Sequence, residues 1–178
     1  EKQALCQEIY QKMTNGHFFN GRDLGSINSE IFDALADQLD PQKIYFTENE
    51  ISSFKRKFFQ FDNLINFQNK YKKSPICSID LKSEFAFINL YFNRLIEATN
   101  HQLKEVTKKS FDYTKEEVIV IDDDQKKWKK GKFELRKIWK RLAKNDVLTS
   151  MLAEKKLNEA TETIEKRYKN RLRRISQR

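Results

Sequence analysis

The sequence predicts an all-α fold, an irregular bundle of six or seven helices around one long central helix. Three observations predict it. Gly (4) and Pro (2) are scarce among 178 residues, so few positions can break a helix. Phe is abundant (14), which supplies large apolar side chains for a helical core. Finally, Leu81, Phe85, Ile88, Phe92, Leu95, Thr99, Gln102 and Val106 follow an alternating spacing of four and three. Only a helix gathers that spacing on one face, and a heptad-like stripe of this length predicts a helix from about 79 to 109 packed against others. Tyr91 and Ile96 widen the stripe enough to meet two neighbours.

The remaining elements follow in order. Leu5, Ile9 and Met13 predict a first helix over residues 1–14, ended by Asn15-Gly16 and followed by a loop with His17-Phe18-Phe19. Ser26 opens a second helix with Ile27, Ile31, Leu35 and Leu39 on one face and Phe32 beside them. Asp40-Pro41 closes it, because the residue before proline is pushed out of the α region. Thr47-Glu-Asn-Glu50 is a capping box: the Thr hydroxyl can accept the backbone N–H three residues on, and Glu50 can reach back. Phe46 and Ile51 stand where a hydrophobic staple would fix the helix entry, and Ile51, Phe54 and Phe58 line the helix that follows. Residues 59–78 are weaker, with Phe61, Leu64 and Phe67 at helical spacing before a Lys-Lys-Ser-Pro break at 72–75.

After the long helix, residues 111–122 lose the helical pattern. Val118 to Ile121 is β-branched and predicts at most a short extended segment, a strap across the bundle. Helix returns from Gly131 to Ala153, with Phe133, Leu135, Ile138, Trp139, Leu142, Leu148, Met151 and Leu152 as its apolar face. Lys144-Asn-Asp146 is expected to loosen or break it. A last helix carries Leu157, Ala160, Ile164, Tyr168, Leu172 and Ile175. Its final thirteen residues hold Lys166, Arg167, Lys169, Arg171, Arg173, Arg174 and Arg178 and no acid, and cations suit a helix C-terminus.

The length predicts one domain, or at most two small ones, and the chain reads as a single domain spanning 1–178. The net charge of +9 is uneven: residues 1–89 carry 11 basic and 12 acidic side chains, and residues 90–178 carry 24 and 14. Such a basic half suits solvated helix faces, nucleic acid, an anionic membrane or an acidic partner. No apolar run approaches the ~18–20 residues that span a bilayer. Opening at Glu1 without a signal-like segment, the chain reads as a piece of a longer protein. Cys6 and Cys77 have neither metal nor redox spacing, and their oxidation state stays open.

Catalytic apparatus is hard to find. No nucleophile elbow, phosphate-cradling glycine loop, H-E-x-x-H or C-x-x-C occurs. His17 and His101 lack positioned partners. His17 reads as a loop imidazole capping a backbone group, and His101 as a solvated residue on the polar face of the long helix. Asp122-Asp-Asp124 lacks the glycine and distal Glu of a calcium loop and reads as a solvated or helix-opening run. Catalytic, cofactor-binding and metal residues are therefore all assigned as none. Lys126 to Lys132 and Arg136 to Arg141 are basic and contain Trp128 and Trp139, a composition that suits an anionic surface or base stacking. Trp139 lies in register with Phe133, Ile138 and Leu142, which favours a core anchor over nucleic-acid binding.

Several segments in order carry a family resemblance: His17-Phe18-Phe19; Ile31-Phe32-Asp33 leading into Leu39-Asp-Pro-Gln-Lys-Ile-Tyr-Phe46; Phe111-Asp-Tyr-Thr114; Trp128; Trp139-Lys-Arg-Leu142; and Lys166 to Gln177. Together they resemble the N-terminal helical domain of the bacterial tail-specific, or carboxy-terminal processing, proteases, from about residue 5 to 178. The resemblance implies a parent serine endopeptidase of the periplasm or cell envelope. Its PDZ module and Ser–Lys pair would lie downstream, so no catalytic residue carries over. The implied partners are that downstream core, protein substrates and an adaptor protein, with no nucleic acid and no cofactor. The implied role is the structural body and a docking platform. The alternatives are a free-standing helical scaffold or adaptor and a basic nucleic-acid-binding domain. Oligomeric state stays open.

Overall fold

The structure, a computed structural model, describes residues 24–57, 82–109, 111–118, 127–153 and 156–177. These form five helices: α1 (Leu24–Leu39), α2 (Glu48–Lys57), α3 (Lys82–Thr107), α4 (Lys132–Leu152) and α5 (Leu157–Ser176). Among the described residues there is no strand, only an isolated parallel bridge between Thr47 and Lys129. The fold class is therefore helical. The helix expected over 1–14, the weaker stretch 59–78, and residues 119–121 of the extended segment lie outside the described residues.

The chain divides into two compact units, Glu1–Gln38 with Ser52–Phe87, and Leu39–Ile51 with Ile88–Arg178. In the first, Phe87 is fully buried. Its ring centroid lies 5.1 Å from Phe32 and 5.2 Å from Phe54, both in tilted geometry. Tilted pairs satisfy the aromatic quadrupole better than a face-to-face sandwich. Phe54 is thus a packing residue, as its spacing from Ile51 predicts.

The second unit has two apolar clusters. In one, Val106 from α3 meets Ala143 and Val147 from α4 and Ala160, Ile164 and Tyr168 from α5, with Phe111 and Tyr113 of the strap packed against them. Ala143 and Ala160 are the small residues that permit close helix approach. In the other, Ala98, Leu135 and Trp139 pack together with Tyr45.

The long helix appears as predicted, but its apolar stripe is rotated. Leu95, Thr99, Gln102 and Val106 are buried, whereas Phe85 is 61% exposed and Phe87, outside the stripe, is fully buried. A heptad spacing drifts about 20° per repeat around a straight helix, so over the three repeats from Phe85 to Val106 it turns by about 60°. The two ends of the stripe therefore cannot face the same direction.

Two further expectations are corrected on α4. Phe133 is 70% exposed, under the ammonium of Lys137 at 4.4 Å from its ring centroid, and Leu152 is exposed too. Both stand in the terminal turns, where an apolar residue at the right spacing has no neighbour to bury it. The helix also runs unbroken through Lys144-Asn145-Asp146. Lys144 is buried, and its ammonium donates to the Lys115 carbonyl at 2.7 Å and to Glu117 at 3.1 Å. Asp146 accepts from the Tyr168 hydroxyl at 2.6 Å and pairs with Arg167 at 3.2 Å. Helix breaking is a property of polar residues that lack tertiary partners, and these have them.

Candidate functional site

The connector Leu39 to Ile51 is densely bonded. It begins where α1 ends. Asp40 is fully buried, and its carboxylate accepts the backbone N–H of Ile44 at 2.9 Å, Tyr45 at 2.7 Å and Phe46 at 3.2 Å. Its own carbonyl accepts from Lys43 N–H at 3.0 Å, closing a tight turn in which Lys43 adopts a left-handed conformation (φ 52°). Few side chains other than Asp or Asn could satisfy so many donors from one short stem. Burial raises the Asp40 carboxyl above its ordinary value, against the lowering effect of these N–H donors.

The capping box forms as predicted. Thr47 N–H and its hydroxyl both donate to Glu50 at 2.9 Å, and Glu50 N–H donates back to the Thr47 hydroxyl at 3.4 Å. Phe46 and Ile51 are both buried, as a staple requires. Glu48 N–H donates to the Lys129 carbonyl at 2.8 Å, which ties the segment before α4 to the connector.

Sequence reasoning missed the second use of Glu50. Its other carboxylate oxygen accepts from Arg94 on α3, and Arg94 also pairs with Glu97 one turn later. Arg94 is buried, whereas Glu97 is half-buried and accepts a longer contact from Arg136 at 3.4 Å. Burial raises the Glu50 carboxyl, but its bonds from Thr47 and Arg94 outweigh that and hold it below the ordinary glutamate value. The available signal was the position of Arg94, one residue before Leu95 in the buried stripe.

Trp139 is fully buried and its indole N–H donates to the Ile44 carbonyl at 2.7 Å. Tyr45 packs edge-on to Tyr91 at 5.8 Å, and its hydroxyl accepts from Arg171 of α5 at 3.2 Å. Trp128 lies 6.2 Å from the Phe46 ring and 5.2 Å from the Lys43 ammonium. Both tryptophans of the basic stretch thus pack on the connector, Trp139 fully buried and Trp128 half-buried. His101 is not the solvated residue expected. Its ring stands edge-on to Trp139 at 6.0 Å, and burial lowers its pKa despite nearby Glu105.

A second feature lies along α5. Lys166, Arg167, Arg171 and Arg174, with Asn170, line an open groove of about 740 Å³ that also holds Asp146. Burial and the adjacent Asp146 carboxylate push the Tyr168 hydroxyl at this groove far above its usual value, so it stays a neutral donor.

Among the described residues, no three His, Cys, Asp or Glu side chains gather closely enough to hold a metal ion. None of their helices is long and apolar enough to cross a membrane. His17, Cys6, Cys77 and Asp122-Asp-Asp124 lie outside the described residues.

Comparison with known proteins places the chain in a family. A tail-specific protease of Haemophilus influenzae is 22% identical over 178 residues, covering 99% of this chain. The chain spans only 24% of that relative's length. The family described as tail specific protease N-terminal domain matches residues 9–178, which include the whole connector and the basic terminal helix. The chain belongs to the tail-specific protease N-terminal domain family.

Proposed function

We propose that residues 1–178 act as one noncatalytic N-terminal domain of a tail-specific serine endopeptidase, forming its structural body and a docking platform for substrates or an adaptor. The observation that carries this reading is the family match over residues 9–178. The connector supports it, because Asp40, Tyr45, Phe46 and Trp139, all within segments that carry the resemblance, serve a bonded framework and not a reaction centre. In this reading the parent cleaves with a Ser–Lys pair downstream, recognises protein tails through a PDZ module, and works in the periplasm or cell envelope. The six or seven helices form around α3, and the downstream core is the chain's first partner. A peptidase assay tests it: the purified 178-residue chain should leave an unfolded protein substrate intact, and the full parent should cleave it. Turnover by the chain alone would overturn the noncatalytic assignment.

A further inference from the structure

The groove along α5 is a strongly charged concavity, and the framework engages only some of its cations. Four cations line it against the single carboxylate of Asp146. Arg167 is engaged by Asp146 and Arg171 by the Tyr45 hydroxyl. Lys166 and Arg174 make no ion pair or hydrogen bond among the described residues, and both are exposed. Free, aligned cations on a helix face attract anions, and guanidinium groups match carboxylates in planar, two-point geometry.

From this groove we infer an acidic-segment docking site: Lys166 and Arg174 bind carboxylates of an extended, acid-bearing stretch of a partner protein. Charge favours an acid-bearing polypeptide, whose spaced carboxylates match cations that are themselves spaced along the helix. The lining also lacks what the other polyanions would use. No exposed aromatic ring is available for base stacking, and no exposed large apolar side chain for lipid insertion. An unbroken row of phosphates would also meet the Asp146 charge, whereas carboxylates spaced along a peptide can avoid it. Spacing sharpens the ligand. Lys166 and Arg174 stand eight residues apart, about 12 Å along a helix that rises 1.5 Å per residue. An extended peptide covers that distance in about four residues.

This deepens the docking role proposed above and can fail separately from it: the chain could be the noncatalytic body of a protease with this groove empty. The test titrates a labelled peptide of about twelve residues, bearing Glu pairs four apart in a Ser/Gly background, into the 178-residue chain at low salt, where Debye screening is weak, about 50 mM. Saturable binding is expected, with no binding of the Gln counterpart. Lys166→Glu with Arg174→Glu should weaken binding at least about tenfold, because two attractive contacts become repulsive. A matched reversal elsewhere, Lys104→Glu with Lys108→Glu, changes net charge equally and should alter binding by less than about twofold. All four side chains are exposed and lack partners, so both variants should fold, as helical circular dichroism can verify. Equal weakening by both reversals would reduce the effect to net charge and overturn the site. Absence of peptide binding would overturn it too. So would tighter, groove-dependent binding of a single-stranded oligonucleotide or of vesicles rich in phosphatidylserine.

Discussion

The Trp139 indole donates its N–H to the Ile44 carbonyl at 2.7 Å, across 95 positions of sequence. This bond fixes the connector to α4 at a residue that is itself fully buried. It joins two of the segments that carry the family resemblance, Leu39 to Phe46 and Trp139 to Leu142, and it explains why an aromatic with a polar tip stands there. Leucine or phenylalanine could fill part of the space but would leave the Ile44 carbonyl without its donor.

Trp139→Phe should therefore destabilise the chain by about 1–2 kcal/mol, from a lost hydrogen bond and a poorly satisfied carbonyl. Trp139→Ala adds a large cavity and should cost about 4 kcal/mol. Urea unfolding followed by far-ultraviolet circular dichroism measures both. Equal stability of wild type and Trp139→Phe would mean the bond contributes nothing.

Arg94 holds two acids, Glu50 and Glu97, from a buried position. Removing one partner of such a pair leaves uncompensated charge, at up to 3–5 kcal/mol in full burial. Here the acids keep partial contact with water, so Arg94→Met should cost about 2 kcal/mol. Adding Glu50→Gln to Arg94→Met should cost less than the sum of the single changes, because the second removes a charge the first left unpaired. Strict additivity in a double-mutant cycle would show that the two residues are not coupled.

Lys144 predicts a local effect in place of a global one. Its ammonium bonds the Lys115 carbonyl and Glu117, and so holds the strap 111–118 on α4. Lys144→Met keeps the aliphatic stem, and the half-exposed Glu117 it releases can turn to water, so global stability should fall by no more than about 1 kcal/mol. The strap should open more often, raising tryptic cleavage after Lys115 about fivefold at native conditions. Unchanged cleavage would show that other contacts, such as Phe111 and Tyr113 in the core cluster, hold the strap alone.

Much of this was legible beforehand, and the failures have a common cause. Local signals such as Asp40-Pro41 and the Thr47–Glu50 box were read correctly because their partners lie within six residues. Trp139 was legible as an anchor by register, but its bond to Ile44 was not, since nothing local marks which carbonyl it will reach. Arg94, Lys144 and Asp146 were missed because charge was read as exposure. On a helical wheel Lys144 and Asp146 stand beside Ala143 and Val147, and that placement was the signal that they turn inward. Phe85 and Phe133 failed in the opposite sense: periodicity identifies a face but not whether a neighbour covers its ends.

Two of the connector's acids, Asp40 and Glu50, should respond to pH with opposite signs. Glu50 is held below its ordinary value, so it contributes stability above that value, and the contribution is lost as pH falls through its folded value. Asp40 is raised by burial, so its contribution is fully present below the ordinary aspartate value and declines as pH rises through its folded value. Glu50→Gln should therefore flatten the loss of stability on acidification below about pH 5. Asp40→Asn should steepen that loss, because it removes the opposing contribution, while costing about 1–2 kcal/mol at pH 7 through one fewer acceptor for Tyr45 and Phe46. Urea midpoints of the three proteins between about pH 3 and 8 provide the comparison. Parallel pH profiles for Glu50→Gln and wild type would show that the Arg94 and Thr47 bonds do not hold the Glu50 carboxylate in its charged form.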